Sequence, residues 1–202
     1  SELDLRGFNF AGAWLESVNF SKSNLSGADF SYAVLAHANF TDAIAVGGKF
    51  AGANLGRATL IGAIFDDAML ENANLMYCKF AQTHLRRAKL SHAQLLSTSW
   101  GKADWTGVIA TSQTFYKLDL QGVVLAEANL AGCTFVECNL CSLDLRGANL
   151  QGATFVTCKL DKAVIQSAAA KGTVFVKDCT LIGADLSQAD FGGCNFGESD
   201  MT

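Results

Sequence analysis

The sequence predicts an all-β solenoid, a coil of short sides and corners, and three observations carry that prediction. A large apolar residue recurs at every fifth position from Leu5 to Met201, with one slip of register, and Leu or Phe fills 33 of these 40 positions. The residue two before each centre is mostly small, and is Ala at 20 of the 40. Identical centres recur at a spacing of 20. A period of five fits neither a helix nor a strand. A tandem repeat of this kind marks a stack of units, none of which buries its own core.

Each pentad reads as one side and one corner. In units such as SGADF, SYAVL, AHANF, AGANL, ENANL and QGATF, the centre and the small residue before it face inward. The residue between them is often polar (Asn19, Asn24, Asp29, Asn39, Asn54 and Asn74) and faces out. This in–out–in alternation is a short strand. The next two residues are commonly Gly, Ser, Arg, Lys or Asp, which suit a corner. Phe10, Phe30 and Phe50 recur at 20, as do Phe115, Phe135, Phe155 and Phe175, while Phe20 and Phe40 return at Phe80. Four pentads therefore close one coil, because three would mix Phe with Leu along every face. The 202 residues then make about ten coils.

The units resemble the pentapeptide-repeat family, whose motif is A(D/N)LXX, and the resemblance covers essentially the whole chain. It implies a right-handed quadrilateral β-helix over 1–202. The four sides agree with the spacing of 20; the handedness rests on the resemblance alone.

The repeat breaks in a few places. Ala45, Ala110 and Ala170 replace large centres, and each leaves space that its neighbours must fill. Gln113 takes an inward position and needs hydrogen-bond partners there, so an irregular coil is expected near 106–114. Six residues separate Phe175 from Leu181. One residue inserted at a corner, around Lys177 and Asp178, accounts for this register shift near 176–180. The repeat is in register by Leu3–Leu5 and continues to Met201, with no capping helix. Two readings follow: an array cut from a longer protein, which is preferred, or an end that docks against another copy.

Composition narrows the function. No apolar run approaches the ~18 residues of a membrane span, so no membrane partner is expected. The net charge is −4, and the excess lies in residues 101–202. This mild acidity argues against a nucleic-acid binder. Six of the seven cysteines (Cys78, Cys133, Cys138, Cys158, Cys179 and Cys194) take the small inward position, as compact hydrophobes. They read as reduced and buried, which favours a cytoplasmic setting.

No catalytic, cofactor or metal site is expected. His37, His84 and His92 fall on different corners or faces, and their spacing supports no nucleophile–base pair. Cys138 and Cys141 form a C-x-x-C string, but the repeat turns Cys138 inward and Cys141 outward. Cys138, Cys158 and Cys179 stack in adjacent coils as buried thiols. Arg86 and Arg87 follow Asp66 and Asp67 by 20 residues, so the basic cluster is expected to pair across coils, with little effect on stability.

One surface row stands out. The residue after the centre on one face reads Met76, Leu96, Tyr116, Val136, Val156 and Val176, where other faces typically carry Ser, Ala, Arg, Asp or Gln. An exposed apolar row of this kind marks a partner surface; alternatively, β-branched residues simply suit an extended ladder. The leading expectation is a non-enzymatic structural or protein-interaction module, a rigid rod serving a protein partner, a missing neighbouring domain or a homodimer. The resemblance implies two settings. Some larger bacterial proteins, including type VI secretion accessory proteins, end in such arrays. Other members mimic DNA and inhibit or protect DNA gyrase, giving quinolone resistance.

Overall fold

The computed structural model describes residues 2–197 and 199–201. The chain divides into two compact units, Ser1–Asp104 and Trp105–Thr202, each a right-handed β-helix of stacked coils with four pentads to a coil. In the first unit, parallel bridges join residues 20 apart, from Asp4↔Asn24 through Asn54↔Asn74 to His84↔Asp104. The second unit repeats the arrangement, with Asn129↔Asn149 and Asp144↔Val164 among its bridges.

Backbone hydrogen bonds between coils satisfy the sides. Leu25 N–H donates to Ile44 O at 2.6 Å, and Asn24 N–H donates to Leu3 O at 2.8 Å. Most corners close with a turn bond, such as Ala28 N–H to Leu25 O at 3.0 Å. Their second residue holds a positive φ, near 60° in side chains as different as Lys22, Tyr32, Asp67 and Gln82. This is the geometry of a type II turn. The first corner N–H is left over, and the polar residue before the centre takes it: Asn9 Oδ1 accepts from Ala11 N–H at 2.9 Å, and Asn39 Oδ1 from Thr41 N–H at 3.0 Å. This is why Asn and Asp recur there.

The core is a set of stacked rows. Phe10, Phe30 and Phe50 stack at 4.9 and 5.0 Å between ring centroids. In the second unit Phe115, Phe135, Phe155, Phe175 and Phe196 stack at 4.7 to 4.9 Å. That spacing matches the ~4.8 Å rise between adjacent strands. Several inward polar residues donate to the carbonyl of a centre one coil below, while Thr98 Oγ1 donates to Leu95 O in its own coil at 2.9 Å. Thr83 Oγ1 donates to Leu60 O at 2.7 Å, Thr173 Oγ1 to Leu150 O at 3.0 Å, and Cys78 Sγ to Leu55 O at 3.0 Å.

The small centres are filled from beside and above. Ala45 is fully buried. Phe65, one coil above it, packs against Phe40 at 5.8 Å and Phe50 at 5.1 Å. Gly48 belongs to this arrangement, because a Cβ there would lie 2.7 Å from the Phe50 ring. Ala110 is also fully buried, and the rings of the flanking centres Trp105 and Phe115 lie 6.3 Å apart. The irregular coil expected at 106–114 is not found. Gly107 takes the usual corner φ of 67°, Ile109 bridges Asn129, and Gln113 stays buried.

The backbone places one extra residue beside Lys177. Bridge partners are 20 apart through Val156↔Val176, 21 apart from Lys159↔Thr180 to Val174↔Asn195, and 20 apart again at Thr180↔Asp200, once both partners lie beyond the extra residue. Lys177 and Asp178 both adopt positive φ, at 55° and 56°, and both are exposed.

Candidate partner-binding surface

Four three-residue strands form one parallel sheet in the second unit: β1 (Thr114–Tyr116), β2 (Thr134–Val136), β3 (Thr154–Val156) and β4 (Val174–Val176). The central phenylalanines point into the core. The flanking residues point out and lie in register, Thr114↔Thr134↔Thr154↔Val174 and Tyr116↔Val136↔Val156↔Val176. Tyr116 is 44% exposed and the three valines are half-buried. Elsewhere the residue after a centre enters a turn. Here it stays extended, and Lys117 N–H donates to Val136 O at 2.9 Å. The apolar row is thus also a row with a backbone preference, because β-branched residues suit an extended ladder.

The two edges of this face differ. One corner row reads Ser112, Gly132, Gly152 and Gly172. A Cβ built on Gly152 or Gly172 would meet nothing within 4 Å. Ser112 holds the same left-handed conformation at φ 55°, so the backbone does not demand glycine there. Within this row only Ser112 carries a side chain. The other corner row carries Lys117, Glu137, Thr157 and Lys177. Lys117 Nζ lies 3.3 Å from the Glu137 carboxylate and 5.1 Å from the Tyr116 ring centroid. The Tyr116 hydroxyl and that carboxylate hold the ammonium above its ordinary pKa.

Met76 and Leu96, the other two residues of the expected row, lie in the first unit. They occupy the same position on successive coils, and Tyr77 N–H donates to Leu96 O at 3.0 Å. Leu96 is exposed and Met76 half-buried.

The remaining candidates fall as follows. Arg87 makes a two-pronged pair with Asp67, both bonds at 2.8 Å, which lowers the Asp67 pKa. Arg86 departs from the expected pairing. Its side chain binds Asp104 in the coil above at 2.7 Å, and Asp66 accepts its backbone N–H instead. Asp104 follows Arg86 by 18 residues, off the spacing of 20, so the pair has no signature in the repeat. All seven cysteines are free, with Cys138 buried and Cys141 half-exposed. Burial pushes the Cys78 thiol up to about 12 and the Cys133 thiol to about 11. The thiolate is the nucleophile, so these groups are inert near neutral pH. Iodoacetamide at pH 8 should label Cys141 while leaving Cys78 and Cys133 unmodified, and should reach all seven in urea; mass spectrometry of the digest reads the sites. Equal rates at Cys78 and Cys141 would mean that the core opens. Among the described residues, no group of three or more His, Cys, Asp or Glu is placed to hold a metal ion. No helix of the described residues is long and apolar enough to cross a membrane.

The family model for pentapeptide repeats matches the chain in eight copies, over residues 4–42, 46–75, 68–99, 119–155, 142–175 and 177–202. The chain belongs to the pentapeptide-repeat family. Among solved structures it is similar to HetL, a pentapeptide-repeat protein involved in heterocyst differentiation regulation in the cyanobacterium Nostoc. That match has a TM-score of 0.55 and 22% identity, and covers 99% of this chain and 87% of HetL. It is also similar to a trypsin-treated variant of QnrB1, a plasmid-mediated fluoroquinolone resistance protein. Here the TM-score is 0.53 and the identity 18%, covering 96% of this chain and 89% of that one. At these identities the likeness is one of fold. Among curated proteins, none matches the chain.

Proposed function

We propose that this pentapeptide-repeat chain is a non-enzymatic interaction module that presents the outer face of β1–β4 to a protein partner. The observation that carries this reading is the in-register apolar row Tyr116, Val136, Val156 and Val176, beside an edge of glycines. An extended apolar surface on a rigid scaffold favours association. Met76 and Leu96 offer a second, shorter apolar row in the first unit. A neighbouring domain, a separate protein or a second copy would each satisfy the β1–β4 surface. Seven free cysteines support residence in a reducing, cytoplasmic setting. The finer expectation, an array within a larger bacterial protein such as a type VI secretion accessory protein, rests on fold analogy alone.

Changing Val136 and Val156 together to Lys should abolish the association and leave the circular dichroism spectrum and melting unchanged. Pull-down and solution mass read the outcome. Unchanged binding by the folded double variant would remove the proposal.

The alternative is a DNA mimic acting on DNA gyrase. That reading requires a strong, unpaired negative field. Here Asp29, Asp67, Asp104, Glu137 and Asp144 each lie against a Lys or Arg. A supercoiling assay discriminates between the two. The interaction reading expects no inhibition or protection at stoichiometric protein, and a salt-sensitive effect would support mimicry.

A further inference from the structure

His37, Arg57 and Tyr77 follow one another at a spacing of 20. They therefore occupy the same corner of three successive coils in the first unit, each with φ near 62°. The Arg57 guanidinium lies over the Tyr77 ring, 5.4 Å from its centroid. Arg57 differs from the other four arginines of the chain. Arg6, Arg86, Arg87 and Arg146 each bind an aspartate carboxylate at 2.6 to 2.8 Å. Arg57 binds none among the described residues.

Beside this corner is an open recess of about 260 Å³, which Arg57, His37 and Tyr77 line on one side and Asn54 and Asn74 on the other. The space exists because Gly56 has no side chain in the row between Ala36 and Met76. The hydrogen bonding of the two amides decides what the recess accepts. Asn54 Oδ1 accepts the Gly56 N–H at 3.1 Å and the Asn74 Nδ2–H at 3.0 Å. Asn74 Oδ1 accepts the Met76 N–H at 3.0 Å. Both amide oxygens are therefore engaged within the protein, while Asn54 Nδ2 and the Arg57 guanidinium keep donors for a ligand. No carboxylate lines the recess.

We propose that this recess binds a carboxylate carried by the side chain of a protein partner. A donor-rich lining with one permanent positive charge matches a single negative charge. The planar fork of a guanidinium fits the two oxygens of a carboxylate, and stacking on an aromatic ring leaves its edge donors free. A phosphate dianion is served by clustered arginines, and only one lies here. The recess is also at the small end for a whole ligand of drug size, but it accommodates one acidic side chain. The proposal rests on the reading of the chain as an interaction module. It does not depend on the β1–β4 face, so the titration below and the Val136 and Val156 experiment can fail separately.

The test is an NMR titration of the full chain, reading the Arg57 Nε–H and His37 ring signals. The probes are a tetraglutamate peptide with both ends blocked, its glutamine counterpart, acetate and inorganic phosphate. The glutamate peptide should move both signals saturably, acetate more weakly, and the glutamine peptide not at all. Arg57→Gln should bind the glutamate peptide at least about tenfold more weakly, with the rest of its spectrum unchanged. Arg57→Lys, which keeps the charge and loses the fork, should fall between. The proposal is overturned by an absence of saturable shifts, by binding that survives Arg57→Gln, or by an equal response to the glutamine peptide. Tighter binding of inorganic phosphate than of the glutamate peptide would also overturn it, because the site would then serve a phosphate.

Discussion

Deleting Asp178 should leave the protein folded, whereas deleting Ser142 should unfold the second unit. Both residues are exposed corner positions with positive φ, at 56° and 57°, so local chemistry alone does not separate them. The difference is register. Asp178 is the extra residue that changes the bridge spacing from 20 to 21. Without it, Cys179 would follow Lys177 as Cys158 follows Thr157, and one of two adjacent left-handed non-glycine residues would disappear. Its loss should shift stability by no more than about 0.5 kcal/mol, the range of ordinary surface changes. Removing Ser142 shortens a regular coil. Asp144 would then fall on an inward position and Leu145 on an outward one, and each later pentad of the unit would inherit the error. A buried, unpaired carboxylate is among the costliest single defects. Thermal melts followed by circular dichroism read both variants. A Ser142 deletion that melts like the parent would show that corners can stretch freely, and the register argument would fail.

Phe135→Ala should be the most damaging single substitution in the core of the second unit. Phe135 is 1% exposed and lies between Phe115 at 4.7 Å and Phe155 at 4.8 Å, with its ring within 11° of parallel to both. Truncation removes contacts on both ring faces and leaves a cavity that stacked coils cannot easily close. A loss of about 3–5 kcal/mol is expected, read as a lowered urea midpoint. Phe135→Leu, which is smaller but still fills the site, should lose less than half of that. If both variants cost the same, filling the space with another apolar side chain does not replace the ring, and the cavity argument fails.

These expectations come from a fold that was largely legible in the sequence. The recurrence of Phe115, Phe135, Phe155 and Phe175 at 20 gave four pentads per coil, because identical rings stack best on one another. Phe175 to Leu181 gave the place of the extra residue. The reading failed where side chains act at a distance from their own pentad. Gln113 suggested a distorted coil, yet Gly107, Ile109 and Gln113 take the corner, bridge and inward positions of an ordinary pentad. Arg86 was paired with the coil below, although its long side chain reaches Asp104 above. The apolar row was visible as a pattern, but its extended backbone was not, since Val46 and Ile61 occupy the same pentad position and enter ordinary turns. The Arg57 recess left no signal. It depends on a missing side chain at Gly56 and on which amide atom of Asn54 and Asn74 faces the backbone.

The left-handed corner residue accepts lysine, tyrosine, histidine, aspartate, glutamine and threonine alike. Its conformation is imposed by the hydrogen bonds on either side of it rather than by its own identity. The identity of the residue at these corners is therefore only weakly constrained by the fold. Lineages carrying this scaffold can rewrite their recognition chemistry one exterior letter at a time, and relatives with the same backbone need share no binding specificity.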